Sequence, residues 1–203
     1  MFAPTPADVE TAYTFACECQ AALTAFIEPD DAIQVFDAIH RALRSCPDTL
    51  SAVYMSSVAM AVVGFGRQIA RLAATARLDC APAPSSTRER VCAALRHVLA
   101  WHNRRSLTVA DIAESLCVSA AYLSDSINRL SQHGFFEHLH AVRVLHAAAL
   151  LAETSDSPYT IAQRVGYLNA PHLTRHFGTL LHGTPARFRR VCSFGHTRGR
   201  RSM

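Results

Sequence analysis

The second half of this chain repeats one pattern of apolar and small residues at an interval of about fifty positions. The first copy contains Ile112-Ala113, Leu116-Cys117-Val118, Ser119, Tyr122-Leu123-Ser124 and Ile127. The second copy contains Ile161-Ala162, Val165-Gly166-Tyr167, Asn169, His172-Leu173-Thr174 and Phe177. In each copy an apolar stripe of helical spacing is followed by a short turn and a second stripe. The pattern predicts two helix-turn-helix units.

The first copy has clear signals for the start of each helix. Thr108 and Asp111 stand three residues apart, which is the spacing of a capping box, and Ser119 is a suitable N-cap for the second helix. The residues expected to point inward are Val109, Ile112, Ala113, Leu116, Tyr122, Leu123, Ile127 and Leu130. The outward face, which a DNA major groove would meet, is expected to present Ala121, Ser124, Asp125 and Asn128.

The second copy follows the same plan. Thr160 begins the first helix, Gly166 provides the turn, and Asn169 caps the second helix. The residues expected to point inward are Ile161, Val165, Leu173, Phe177 and Leu180. The residues expected to face outward are Ala170, Pro171, His172, Arg175 and His176.

Residues 104–190 resemble the paired helix-turn-helix domain of the AraC/XylS family of transcription regulators. In the first unit the matching residues are Leu107, Ile112, Ala113, Val118, Ser119, Tyr122, Leu123, Ser124 and Arg129. The connecting segment matches at Leu139, Arg143, Ala147, Leu150 and Leu151. The second unit and the terminal signature match at Ile161, Ala162, Val165, Gly166, Tyr167, Leu173, Arg175, Phe177, Thr184, Pro185, Phe188 and Arg189.

The resemblance implies an all-α protein with a C-terminal domain of seven helices at residues 87–191, in which a long helix joins the two units. A proline-rich linker at 81–86 precedes it, and Ser86 with Glu89 forms a capping box that starts the domain. The inward residues of this helix are Val91, Leu95, Val98 and Leu99. The other predicted helices cover about 108–116, 119–130, 135–153, 160–165, 170–181 and 185–191. The basic tail, residues 192–203, is predicted to be disordered.

Residues 1–80 are predicted to form a small helical domain that dimerises or binds a protein partner. Apolar residues, among them Ile33, Phe36, Ile39 and Leu43, recur at helical spacing within 7–27, 31–45 and 49–78. Glycine, which tight β-turns often require, occurs in the first 133 residues only at Gly64 and Gly66. The effector-binding β-barrel that many AraC/XylS relatives carry is therefore not expected here.

The stretch from Thr49 to Gly66 has no charged residue and reaches the lower limit for a membrane span. Its serines and glycines favour a buried or self-associating helix instead, so no membrane association is expected. The spacing of Gly64 and Gly66 indicates a kink or a close helix contact, because neither the strand nor the longer motif of a phosphate-binding loop is present.

Charge is divided unevenly along the chain. Residues 1–86 carry five arginines and nine acidic residues, a net charge of −4, whereas residues 87–203 carry fifteen arginines and seven acidic residues, a net charge of +8. The basic half is the half that contains the repeats, which favours a polyanionic partner such as DNA for it.

The motifs give no support to an enzyme. None of the eleven histidines forms an HExxH pair or stands at ligand spacing from a cysteine, so no catalytic residue, metal or cofactor is expected. Most histidines are interpreted as solvated or as lying at the edge of the core. The seven cysteines are scattered singly, as in a reduced cytoplasmic protein. A redox-sensing cysteine in the N-terminal half is the alternative left open.

The resemblance also assigns roles to individual side chains. The residues implied to read bases are Ala121, Ser124, Asp125, Ala170, Pro171, His172 and Arg175. The residues implied to contact phosphates, through side chains or through helix N-termini, are Arg104, Arg105, Ser119, Arg129, Asn169 and Arg189. Arg143 has two possible roles. It either contacts phosphate or, at least as plausibly, connects the two halves of the domain within the molecule.

Several residues depart from the family pattern. Cys117, Gln132 and His182 stand where the family prefers glycine, and Asp125 stands where it often has a basic residue. A left-handed backbone at a non-glycine residue costs about 1–2 kcal/mol, and a carboxylate repels nearby phosphates. We therefore expect the second unit to carry most of the specificity.

The sequence is consistent with two alternative functions. The first is a cytoplasmic transcription regulator, an activator by preference, that binds double-stranded promoter DNA in two successive major grooves and contacts RNA polymerase. The second is a diverged helix-turn-helix protein that binds DNA weakly and acts as a protein-interaction or anti-activator module.

Overall fold

The computed structural model describes residues 10, 14, 17, 32–44, 61–64, 66–71 and 84–198. Every regular element within these residues is an α-helix, which confirms the predicted all-α class. The helices are α1 (Ala32–Arg44), α2 (Thr87–Trp101), α3 (Val109–Ser115), α4 (Ala120–Ser131), α5 (Phe135–Glu153), α6 (Pro158–Arg164), α7 (Ala170–Leu181) and α8 (Pro185–Arg198). The described residues of 61–64 and 66–71 are helical as well. The rest of the helices predicted at 7–27 and 49–78 lies outside the described residues.

The predicted capping signals determine where the helices begin. Ser86 with Glu89 starts α2 and Thr108 with Asp111 starts α3, and both pairs form complete capping boxes. Ser119 accepts a hydrogen bond from the backbone N–H of Tyr122 at the start of α4. These local bonds satisfy amide groups that a helix start would otherwise leave without a partner.

Two helix boundaries differ from the prediction by two residues or more. Helix α6 begins at Pro158 rather than at residue 160, because Ser157 is its N-cap and proline suits the first helical position. Helix α8 continues to Arg198, seven residues beyond the predicted end, and takes in part of the segment that was expected to be disordered.

The long helix α5 lies at the centre of the fold. It contacts α2, α4, α6, α7 and α8, and most of its side chains are buried. Small side chains such as Ala141, Ala147 and Ala148 allow this close packing on several sides. Its observed bounds and those of α7 are the predicted ones.

Helix α1 belongs to the same hydrophobic core as the two repeats. Ile33, Phe36, Ile39 and Leu43 are buried as predicted, and α1 contacts α2, α4, α5 and α7. The described part of the N-terminal half is therefore packed against both units. That residues 1–80 fold as a domain of their own stays a prediction.

The expectation that most histidines are solvated or lie at the edge of the core does not hold for the most deeply buried of them. His40, His97, His102 and His138 are buried. The Nε2 atom of His40 lies 2.9 Å from Nδ1 of His138, whose Nε2 lies 2.7 Å from Oγ of Ser131. The ring of His133 stacks on His40 at a centroid distance of 3.7 Å. A hydrogen-bonded chain thus connects α1, α5 and the end of α4, and these mutual partners are what makes burial of the rings tolerable.

Gly66 makes the close helix contact that the sequence predicted. A Cβ atom at Gly66 would overlap the carbonyl oxygen of Leu145 and would lie 2.7 Å from Cβ of Ala149. Arg67, the next residue, forms an exposed ion pair with Glu153, the last residue of α5. The N-terminal half therefore approaches α5 where only glycine leaves enough room.

Replacing Gly66 with alanine should destabilise the protein by about 1–3 kcal/mol, because the added methyl group meets backbone rather than a flexible side chain. Urea unfolding of Gly66→Ala measures the change. The matched control is Gly178→Ala, where the nearest atom to the new Cβ is 3.7 Å away and where alanine should stabilise the helix by about 0.5–1 kcal/mol. Equal changes in the free energy of unfolding at Gly66 and Gly178 would contradict the close contact between Gly66 and α5.

The buried histidines predict that acid destabilises the fold. Burial, with smaller contributions from His133 and Arg44, lowers the pKa of His40 to about 3. Burial likewise lowers the pKa of His138 to about 3 and that of His102 to about 4. Because the unfolded chain binds these protons near the ordinary pKa of about 6.5, stability is present above that pH and is lost as the pH falls toward the folded values.

We expect the free energy of unfolding, measured in urea at pH 7.5, 6 and 5, to decrease at each step. Replacing His138 with glutamine should reduce the slope, because one site that binds a proton only after unfolding has been removed. A free energy that does not change between pH 7.5 and 5 would show that these rings are not buried.

Candidate nucleic-acid interface

The first helix-turn-helix unit consists of α3, a tight turn and α4. The backbone N–H of Val118 donates to the carbonyl of Ala113 at 3.0 Å across this turn. Ile112, Leu123 and Ile127 are fully buried between the helices, as predicted. Buried apolar side chains and backbone hydrogen bonds therefore hold the two helices together. The opposite side of α4 faces solvent.

Tyr122 is the residue of this unit whose position was predicted wrongly. It does not point inward, since it is 36% exposed. Its hydroxyl lies 2.9 Å from Oγ1 of Thr87 and 3.5 Å from Nη1 of Arg90. A phenol has a polar end that must be hydrated or bonded, so the ring crosses the edge of the unit and ties the start of α4 to the start of α2.

The outward face of α4 is as predicted, and it carries little positive charge. Ala121, Asp125 and Asn128 are exposed, and Ser124 is half-buried. Arg129 is exposed in the last turn of the helix. Short side chains and a carboxylate therefore occupy the positions that would approach base edges.

The second unit consists of α6, a turn at Gly166 and α7. Gly166 has a φ of +92°, and a Cβ there would lie 2.6 Å from the carbonyl oxygen of His102 and 2.9 Å from Nη2 of Arg143. Glycine is thus required both by the backbone conformation and by the closeness of neighbouring atoms. Leu173 and Phe177 are fully buried beneath the helix, as predicted.

The outward face of α7 presents more hydrogen-bonding groups than that of α4. Pro171, His172 and Arg175 are exposed, and Ala170 is half-buried. His176 is only half-exposed, because its ring stacks on His140 of α5 at 3.7 Å between centroids. Arg175 Nη2 lies 3.1 Å from His172 Nε2, so the two polar side chains of this face are in contact.

Arg143 connects the two halves of the domain through intramolecular hydrogen bonds, which is one of the two roles that the sequence predicts for it. Its Nε donates to the carbonyl of His102 and its Nη2 to the carbonyl of Arg104, both at 2.7 Å. The guanidinium also lies over the ring of Tyr167 at 5.3 Å. This buried side chain therefore connects α5 to the segment after α2 and to the turn of the second unit.

The residues predicted to contact phosphates lie in different surroundings. Arg104, Arg105 and Arg129 are exposed, although the Arg104 guanidinium also lies over the Trp101 ring at 4.1 Å. Arg189 is half-buried and donates to the backbone carbonyls of Leu151 and Asp156.

Ser119 and Asn169 are the N-caps of the two outward-facing helices. The Asn169 side chain accepts from the backbone N–H of His172.

Both outward-facing helices end in a residue with left-handed backbone. Gln132 ends α4 with a φ of 57°, and His182 ends α7 with a φ of 49°. Cys117, in the turn of the first unit, has a φ of 54°. These are the three positions where glycine was expected from the family pattern, and the chain adopts the turn conformation with other residues at each.

No described group of three or more histidine, cysteine, aspartate or glutamate residues is arranged to hold a metal ion. Among the described helices none is both long and apolar enough to span a membrane. The uncharged stretch at 49–66 lies mostly outside the described residues. Cys92 and Cys192 are buried thiols, whereas Cys17 and Cys117 are exposed.

Replacing Gln132 with glycine should stabilise the protein. The left-handed conformation costs a non-glycine residue about 1–2 kcal/mol, and the greater freedom of glycine in the unfolded chain offsets about 0.5–1 kcal/mol of that gain. Urea unfolding should therefore show a net increase of roughly 0.5–1 kcal/mol. Arg129→Gly, within the same helix, is the control and should lose about 1 kcal/mol. A loss at both positions would show that the conformation at 132 is not strained.

The comparisons with known proteins concern the same region. Residues 112–191 match a family model described as a helix-turn-helix domain. Over 87 residues, 43% of this chain, the sequence is 28% identical to the melibiose operon regulatory protein of Escherichia coli strain K12. That match spans 29% of the length of the regulator.

Solved structures resemble the same half. The C-terminal domain of AraT, a response regulator from Geobacillus stearothermophilus, superposes with a TM-score of 0.50 at 30% identity, covering 53% of this chain and 88% of that one. A transcriptional regulator with an AraC-type DNA-binding domain, from Chromobacterium violaceum, gives a TM-score of 0.40 at 24% identity, covering 43% and 78% of the two chains. In its C-terminal half the chain therefore carries the paired helix-turn-helix DNA-binding domain of the AraC family of transcription regulators.

Proposed function

We propose that this protein regulates transcription by inserting α4 and α7 into successive major grooves on one face of promoter DNA. The observation that carries the proposal is the length of α5, whose 19 residues separate two units with solvent-exposed outer faces. Such a helix is about 28 Å long at 1.5 Å per residue, close to the ~34 Å between major grooves one helical turn apart.

In this proposal the second unit supplies most of the sequence specificity. Arg175 is exposed on α7, and a guanidinium can donate two hydrogen bonds to the O6 and N7 atoms of guanine. Ala170, Pro171 and His172 lie at the start of the same helix, where a reading helix approaches base edges.

The first unit contributes less. Ala121 and Ser124 offer small contacts, whereas Asp125 places a carboxylate on the outward face of α4. A carboxylate can accept from the N4 amino group of cytosine, but it also repels the phosphate backbone. We therefore assign α4 mainly to positioning, with at most one selective base contact.

Phosphate contacts would fix the protein on the duplex. Exposed Arg104, Arg105 and Arg129, together with the helix N-termini at Ser119 and Asn169, are suited to this role. Arg189 is left out of this set because its guanidinium is engaged with backbone carbonyls. The net charge of +8 in residues 87–203 supports the same partner.

The remaining parts of the proposal rest on the family. As an activator in the cytoplasm, the protein would contact RNA polymerase from a promoter-bound position, and residues 1–80 would dimerise it or bind a protein co-activator. The matched relatives are transcription regulators rather than enzymes, which agrees with a role in binding.

Anisotropy titrations of the full chain against labelled duplexes test the proposal. Duplexes selected from a random pool should bind tightly at 50 mM salt and weakly at 200 mM, because counterions are released. Arg175→Ala should cost ~1–3 kcal/mol of discrimination between selected and altered duplexes. Arg129→Ala should weaken binding to all duplexes alike and reduce the salt slope by about one unit.

Arg187→Ala is the matched control for Arg175→Ala, because it removes an exposed arginine from α8 rather than from a reading helix. It should leave discrimination unchanged. If the full chain binds no duplex at low salt, the regulator is excluded, and a protein-interaction module, which Asp125 and the three strained turns would suit, takes its place.

A further inference from the structure

We infer that His172 is a positioning residue for Arg175, and that a stack of aromatic rings anchored in α5 holds His172 in place. The inference rests on the proposed function, because it concerns how a base-reading arginine is oriented. It gives His172 a different role from the sequence prediction, in which both His172 and Arg175 are base-reading residues.

The contact itself defines the roles of the two side chains. Arg175 Nη2 lies 3.1 Å from His172 Nε2, one helical turn away. A guanidinium has only donors, so Nε2 of His172 must accept and its imidazole proton must lie on Nδ1. Nε2 is therefore occupied by Arg175 and is not available to donate to a base.

The ring of His172 is fixed by two neighbours. It meets Tyr167 edge-on at 6.0 Å between centroids and His176 edge-on at 5.6 Å. Both arrangements have the T-shaped geometry that aromatic rings prefer. His172 is thus held on two sides although it lies on the exposed face of α7.

These two neighbours are themselves anchored to α5. His176 stacks on His140 at 3.7 Å, and Nδ1 of His140 lies 3.2 Å from the hydroxyl of Tyr167. Tyr167 is 1% exposed and lies beneath the guanidinium of Arg143. A continuous set of contacts therefore runs from the centre of the fold to the outward face of α7.

Charge within the stack is compatible with this arrangement. Burial, followed by the nearby positive groups, lowers the pKa of His140 to about 4 and also lowers the pKa of His176. Both rings are neutral at neutral pH, so they can stack closely without repelling Arg143 or Arg175.

The first unit lacks every member of this group. In the aligned repeat, Val118, Tyr122, Asp125 and Ser126 occupy the places of Tyr167, His172, Arg175 and His176. The hydroxyl of Tyr122 lies within hydrogen-bond distance of Thr87 of α2, not of the residue at the place of Arg175. The arrangement is therefore specific to the second unit and is not a requirement of the helix-turn-helix fold.

Restricting Arg175 before DNA arrives has a clear benefit. An arginine side chain loses much rotamer freedom when it is immobilised on a base, and preorganisation reduces that loss. It also directs the planar donor fork, on which recognition of guanine depends.

Two substitutions at His172 separate the hydrogen bond from the ring. His172→Phe keeps an aromatic ring against Tyr167 and His176 but has no acceptor. His172→Gln has a carbonyl oxygen that can take the place of Nε2 but has no ring. Near-native unfolding midpoints for both variants show that any effect is local.

The first measurement is discrimination by the full chain between a duplex that the unsubstituted protein selects from a random pool and the same duplex with its guanines replaced. Discrimination should fall about 2- to 12-fold in His172→Phe, fall about 5- to 150-fold in Arg175→Ala, and recover only in part in His172→Gln, which keeps an acceptor but loses the ring contacts. Full recovery in His172→Gln would show that the ring stack is not needed. Adding His172→Phe to Arg175→Ala should cause no further loss. Additive losses, or no loss in His172→Phe, would overturn the inference while leaving the DNA-binding function intact.

The second measurement needs no DNA. The NMR order parameter of the Arg175 Nε–H group should be lower in His172→Phe than in the unsubstituted protein, and His172→Gln should give a value between those two. An unchanged order parameter overturns the positioning role whatever the titrations give. If the unsubstituted protein binds no duplex, the proposed function is overturned. The role of His172 in DNA recognition is then overturned as well.

Discussion

The relative placement of the two repeats depends on one buried side chain. Arg143 extends from α5 and donates to two backbone carbonyls in the segment that joins α2 to α3. A buried guanidinium is tolerated only where its donors are satisfied, and removing it would take one hydrogen bond from each of two backbone carbonyls. Gly166 makes the arrangement possible, because any larger residue in the second turn would collide with Arg143. The same contact therefore fixes the first unit, the connecting helix and the second unit.

The repeats share a backbone plan but differ in surface chemistry. Each outward-facing helix has a polar N-cap, a buried apolar stripe and a left-handed residue at its end. The outward faces have diverged: α4 presents Asp125, whereas α7 presents Arg175 in contact with His172. The fold constrains the buried stripe and the turns, and leaves the exposed positions free to acquire different partners.

The sequence was sufficient to predict the features that depend on hydrogen bonds and spacing between residues close together in the chain. Capping boxes at Ser86 and Thr108 located two helix starts, and apolar spacing identified the buried residues of both units. The prediction failed where a contact with a residue distant in the sequence determines the position of a side chain. Tyr122 has the spacing of a core residue but bonds across the edge of the unit to α2.

At the candidate interface, too, the spacing of residues in the sequence does not reveal the contacts that the histidines make. Their burial depends on partners as much as 98 positions away, as for His40 and His138, and no spacing rule contains that information. The contact between His172 and Arg175 could have been suspected from their separation of three residues, which brings side chains together on a helix. The stack that supports it could not, because His140 comes from another helix.

The dense packing around Gly66 affects how such a protein can evolve. Domain boundaries usually fall in exposed, flexible linkers that few contacts cross, and insertion of a domain is tolerated for that reason. Here α5 leaves no room for an extra methyl group at Gly66, and α1 packs against the same helix. Recombination that replaced this segment would expose an apolar face on the DNA-binding half. New inputs are therefore expected to arise by gradual substitution within the existing N-terminal half, with compensating changes along α5.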